Sequence, residues 1–104
     1  MTSHALSHYE LLVLLATAHV GEGAYGVAIA KAIEDASGRE TTVASVYRAL
    51  QRLEERGLVR TRLGEATPER GGRAKRLVEI TTAGKRQAVH TQRTLQRLGF
   101  AYEA

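Results

Sequence analysis

The hydrophobic period of this chain changes from helical to alternating at Gly57, and that change limits the fold more than any other feature of the sequence. Before it, apolar residues recur at intervals of three and four. After it, Val59, Thr61 and Leu63 alternate with Arg60 and Arg62, and further on Arg76, Val78 and Ile80 alternate with Lys75, Leu77 and Glu79. Two alternating runs joined by "GEATPERGG" predict a β-hairpin with glycine at its tip. Helical patterns on both sides of the hairpin make the chain mainly α with one small β element.

Leu6-Ser7-His8-Tyr9-Glu10-Leu11 opens a first helix, predicted from Ser7 to Ala18. Ser7 is the N-cap, Glu10 closes a capping box, and Leu6 and Leu11 stand where a hydrophobic staple would. Leu11 to Ala16 is apolar all round, which predicts burial on several sides. In "GEGAYG", Gly21, Gly23 and Gly26 meet the G-x-G-x-x-G spacing, but a dinucleotide site needs a strand before it and an acid-ending strand about twenty residues on. A capped helix precedes it here, so an interhelical turn is expected. A second helix is predicted over Ala24 to Ser37, with Ala28, Ile29, Ala32, Ile33 and Ala36 as its buried stripe and Gly38 as its stop. A third starts at Thr41 or Thr42 and runs to Arg56 before Gly57. Val43, Val46, Tyr47, Leu50 and Leu53 form its apolar face; Ala44, Ser45, Arg48, Gln51, Arg52 and Glu55 lie opposite. Thr82 is placed to cap a last helix, Ala83 to Leu98, whose cations Lys85, Arg86, Arg93 and Arg97 have no acid between them.

Charge follows the same division. Residues 1–38 carry one Lys or Arg against four acids, and residues 39–104 carry fourteen against seven, so an anionic partner would meet the second part. With 104 residues and no cysteine, the chain has one domain's worth of core, marginal for a lone monomer, and neither disulfides nor thiolate metal sites. The cytoplasm is the expected compartment. "LLVLLATAHV" is too short for a membrane span. His4 and His8 lack a third ligand, no G-K-S/T follows the paired glycines, and the serines lack a G-x-S-x-G setting, so no metal, cofactor or catalytic role is expected.

Helix, helix, helix, hairpin, helix is the order of a winged helix-turn-helix. In that arrangement the third helix suits the major groove and the hairpin tip suits phosphates or the adjacent minor groove. Ser45, Arg48 and Arg52 are the candidates for base contacts, Thr42 and Tyr47 for phosphates, and Arg70, Arg73, Lys75 and Arg76 for the wing. The expected organisation is a DNA-binding unit over residues 1–82 and a last helical segment over 83–104. The alternative is a winged-helix interaction module whose basic face binds an acidic protein.

Three stretches, in order, resemble the PadR-like transcriptional regulators: "ELLVLLATAHVGEGAYGVAIAKAIEDASG", "TTVASVYRALQRLEERGLV" and "RGGRAKRLVEITTAGK". The resemblance covers about residues 6–86. It implies a dimeric bacterial or archaeal repressor that binds double-stranded DNA through a winged helix, dimerises through its last helix, and often releases DNA on binding a small aromatic or drug-like effector. The chain departs from the pattern at Arg48, where many members have proline, and at Leu77 and Val78, where they have aromatic residues. It also lacks tryptophan.

Overall fold

The computed structural model describes residues 6–64 and 75–99. Its elements are α1 (His8–Val20), α2 (Gly26–Ser37), α3 (Val43–Glu55), β1 (Val59–Leu63), β2 (Arg76–Ile80) and α4 (Thr82–Leu98). The strands pair antiparallel, Val59 opposite Ile80 and Leu63 opposite Arg76. The fold is the expected winged helix-turn-helix.

α1 starts at a complete capping box: the Ser7 hydroxyl accepts the Glu10 N–H at 3.1 Å and the Glu10 carboxylate accepts the Ser7 N–H at 3.0 Å. Two donors that the first turn would leave unpaired are satisfied, a contribution of about 1 kcal/mol. The helix then runs through the middle of the molecule, in contact with α2, α3, β2 and α4. Val13 and Leu14 are fully buried, and the buried Thr17 donates its hydroxyl to the Val13 carbonyl at 2.8 Å. One flank stays open. Leu12, Leu15 and Val20 of α1, with Ala28 and Ala32 of α2, wall an apolar groove of about 890 Å³.

α2 begins at Gly26, two residues beyond the expected start at Ala24. Ala24 and Tyr25 are held by β2: Tyr25, in extended backbone, forms a bridge with Leu77, and the Ala24 carbonyl accepts the Val78 N–H at 2.8 Å. The hairpin is thereby fastened to the start of the helix-turn-helix. The buried stripe is Gly26, Ile29, Ala30 and Ile33, and Ala36 is exposed, which corrects the expected stripe. Gly38 ends α2 at φ 73°, the left-handed conformation that glycine adopts without strain.

The turn into α3 is pinned by side chains. The Glu34 carboxylate accepts the Thr41 N–H at 2.9 Å, and the Thr41 hydroxyl bonds that of Tyr9 on α1. Thr42 caps α3, accepting the Ser45 N–H at 3.0 Å. Val46, Ala49, Leu50 and Leu53 bury its inner face.

The cap of α4 is Thr81, one residue before the expected Thr82. Thr81 keeps extended backbone, its hydroxyl oxygen accepts the Gly84 N–H at 3.0 Å, and the same hydroxyl donates to the Gly57 carbonyl at 2.7 Å. One side chain thus caps the last helix and ties it to the end of α3. Thr81→Ala removes both bonds and should cost about 1 to 2 kcal/mol in a urea unfolding titration. A midpoint equal to the parent's would contradict this double role.

Candidate nucleic-acid interface

The exposed face of α3 carries a short chain of hydrogen bonds. The Thr42 hydroxyl donates to Ser45 Oγ at 2.8 Å, and Arg48 Nη2 donates to the same oxygen at 3.2 Å. With both lone pairs of Ser45 Oγ occupied, its own hydroxyl hydrogen is left to donate. Ser45 and Arg48 together then present donors only, which complements phosphate oxygens or the O6 and N7 acceptors of guanine. The expected candidates Thr42, Ser45 and Arg48 are brought together on the first turns of α3, where the positive end of the helix dipole also favours an anion.

Arg52 leaves this group. Its Nη1 lies 3.8 Å from Glu10 Oε2, so the guanidinium leans across to the first turn of α1. The partner of the capping box thus also holds the candidate one turn beyond Arg48.

Tyr47 is 38% exposed and lies over the start of α2. A Cβ built on Gly26 would come within 2.7 Å of the ring, so glycine at that position is what admits it. Tyr47, Gln51, Glu54, Thr61 and Arg76 line a crevice of about 360 Å³ between α3 and the hairpin. Glu54 spans it, its carboxylate accepting both the N–H of Thr61 at 3.1 Å and the hydroxyl at 2.8 Å. Arg76 Nη1 donates to Thr61 Oγ1 at 3.2 Å. The wing is therefore held against α3 by a charge-assisted pair.

The expected wing residues separate. Arg76 stands opposite Leu63, on the sheet face shared with Thr61 and Val78, toward α3. Lys75 Nζ lies 4.5 Å from the centroid of the Tyr25 ring, a cation–π contact that braces the base of the wing. Arg60 and Arg62 on the other sheet face both pair with Glu79, at 3.9 and 3.1 Å. Arg70 and Arg73, with the connection that carries them, lie outside the described residues.

Gln51, Thr61, Glu54 and Tyr25 were not among the expected site residues. Gln51 sits one turn from Tyr47 and was visible as part of the exposed face. The other three depend on contacts between segments, to which helical or strand spacing is blind.

An exposed, donor-rich helix after a pinned turn, joined to a two-stranded wing, defines a winged helix-turn-helix protein. The chain belongs to the family described as "Transcriptional regulator PadR-like family", whose model matches residues 13–90, about three quarters of its length. It is therefore a transcriptional regulator of a DNA-binding family and not an enzyme. Solved structures agree on the fold. A PadR family transcription regulator from Clostridium difficile superposes with a TM-score of 0.72 at 22% identity, over 88% of this chain and 91% of that one. One from Eggerthella lenta gives 0.67 at 24% identity, over 86% and 76%, and a PadR-like transcription factor from Bacteroides fragilis gives 0.69 at 16%, over 86% and 82%. No curated protein sequence matches the chain. No described helix is long and apolar enough to cross a membrane.

Proposed function

We propose that this regulator is a sequence-specific repressor that binds an inverted-repeat operator as a homodimer, with α3 in the major groove and the wing on the flanking backbone or minor groove. The observation that carries this is the Ser45–Arg48 pair, ordered by Thr42 and presenting donors only, on an exposed face at the positive end of α3. Ser45 and Arg48 are assigned to base edges and Tyr47 to a phosphate; Thr42 is assigned to a phosphate too, which its hydroxyl reaches by releasing its bond to Ser45 Oγ. Arg52, drawn toward Glu10, is assigned to the edge of the contact. Arg70, Arg73, Lys75 and Arg76 form the wing contact with the backbone.

Pairing of two copies is supported by apolar surface that one copy leaves bare. Leu95 and Leu98 on α4 are 56% and 76% exposed, and the α1–α2 groove is lined by Leu12, Leu15 and Val20. Residues 83–104 serve dimerisation in this scheme, and two copies put two α3 helices on half-sites about one helical turn, or a multiple of one, apart. Release of DNA by a small aromatic or drug-like effector and residence in the cytoplasm belong to the same proposal, as the family resemblance implies.

Arg48→Ala tests the base-reading role. It should cost about 1 to 3 kcal/mol on the operator and relax preference at one base position, with little change on random duplex. Equal losses on the two DNAs, measured by fluorescence anisotropy, would remove Arg48 from base recognition. Arg76→Ala should weaken operator and random DNA alike and lower the slope of log K against log salt by about one. An unchanged slope would take Arg76 off the backbone.

A further inference from the structure

α4 carries a second concentration of positive charge, on the side of the helix that faces away from the core. Arg86, His90, Arg93 and Arg97 are exposed and, with Lys85 and Val89, line one shallow groove of about 390 Å³. Their spacing of four, three and four residues places them within an arc of roughly 60° and along roughly 16 Å of helix. Gly84 and Ala88 are buried on the opposite side.

Two features separate this stripe from an ordinary solvated face. Surface helices usually mix signs, since like charges four residues apart cost a few tenths of a kcal/mol. Arg93 and Arg97 accept that repulsion, and α4 contains no acid from Thr82 to Leu98. Elsewhere exposed cations do find carboxylates: Lys31 pairs with Asp35, and Arg60 and Arg62 pair with Glu79. Among the described residues none of the α4 arginines does so. Among the described residues, then, the helix presents a row of guanidinium groups that no carboxylate neutralises, a row that suits an anionic partner.

We infer that the outward face of α4 is a second contact surface for nucleic acid, gripping the phosphates of a duplex segment other than the one under α3. Guanidinium groups in line suit phosphates, which each can hold with two parallel hydrogen bonds. A lipid surface fits less well, because an interfacial helix needs bulky apolar residues beside its basic ones. Leu95 and Leu98 point roughly 110 to 170° away from the centre of this stripe. The surface does not depend on α3 reading bases, and it leaves the apolar side of α4 free for a second copy. A protein with both surfaces engaged holds two stretches of duplex together, or turns one stretch back along its flank.

The test uses the whole chain and a random-sequence duplex of thirty base pairs. In the Arg86→Gln/Arg93→Gln/Arg97→Gln variant the long stems and helix-compatible side chains are kept and the charge is removed. The slope of log K against log salt should fall by about 2 to 3, close to 0.9 for each phosphate no longer neutralised. Bead-tethered duplex saturated with wild-type protein should capture a second, labelled duplex, and the variant should not. On the unsubstituted protein, duplex should shield Arg86, Arg93 and Arg97 from phenylglyoxal, which needs no variant to fold. An unchanged salt slope with undiminished modification would overturn the inference. So would a variant that light scattering finds reduced to monomers, because the stripe would then belong to a contact between copies. Loss of binding to vesicles containing phosphatidylglycerol, with duplex capture intact, would assign the stripe to a membrane surface and overturn it likewise.

Discussion

Gly84→Ala should destabilise the fold by about 3 kcal/mol, lowering the melting temperature on the order of 15 °C for a domain of this size. A Cβ at residue 84 would stand 2.1 Å from the Leu58 carbonyl oxygen and 2.7 Å from Ile80 Cγ1. The nearer of the two is backbone. The Leu58 oxygen is held in place as the acceptor of the Thr81 N–H at 3.0 Å, and the adjacent Gly57 carbonyl accepts the Thr81 hydroxyl. Making space for the methyl would mean lifting the first turn of α4 off the end of α3 and breaking the cap with it. Thermal unfolding followed by circular dichroism measures the loss; a shift of only a degree or two would mean that α4 is not seated where these distances place it.

Leu53→Ala should cost about 2 to 5 kcal/mol, since Leu53 is fully buried on the inner face of α3 and its truncation opens a cavity beneath that helix. The effect on DNA should be of a different kind from that of Arg48→Ala. Below its melting range, the folded fraction of the Leu53 variant should keep the parent's base preference, because no exposed group has changed. Arg48→Ala should leave the stability within about 0.5 kcal/mol of the parent and change the preference. If Leu53→Ala altered base preference while leaving stability untouched, the division of α3 into a buried face and a reading face would be wrong.

Much of this fold is legible in the sequence because its signals are local. Ser7 and Glu10 announce the start of α1 three residues apart, Gly38 and Gly57 mark helix ends, and the alternation around Val59 and Val78 gives both strands, the second starting at Arg76, one residue after the alternation begins at Lys75. The errors arise where local pattern loses its meaning. Alanine is apolar enough to join any stripe, so Ala30 and Ala36 of α2 could not be told apart until Ile29 and Ile33 had neighbours. Thr81 and Thr82 are equally good caps on paper. Thr81 wins because its hydroxyl also reaches Gly57, 24 residues away in sequence. The Tyr25–Leu77 bridge is a single pair and leaves no period to detect.

The candidate site divides in the same way. Thr42, Ser45 and Arg48 fall on one face by helical spacing, and the structure adds who donates to whom. That Arg52 turns to Glu10, and that Glu54 locks Thr61 to α3, are consequences of tertiary packing. The same packing gives glycine a second use in the fold. Gly26 and Gly84 are required by close approach of Tyr47 and Leu58, not by turn geometry.

Selection of bound duplexes from a random library at physiological salt, followed by sequencing and titration of the enriched DNA, tests the central claim most directly. The expected result is an inverted repeat with half-sites about one helical turn, or a multiple of one, apart, bound at least a thousandfold more tightly than random duplex, a preference on the order of that seen for specific DNA-binding proteins. Absence of an enriched sequence, with every duplex bound at the roughly 10⁻⁴ to 10⁻⁶ M of nonspecific association, would contradict it.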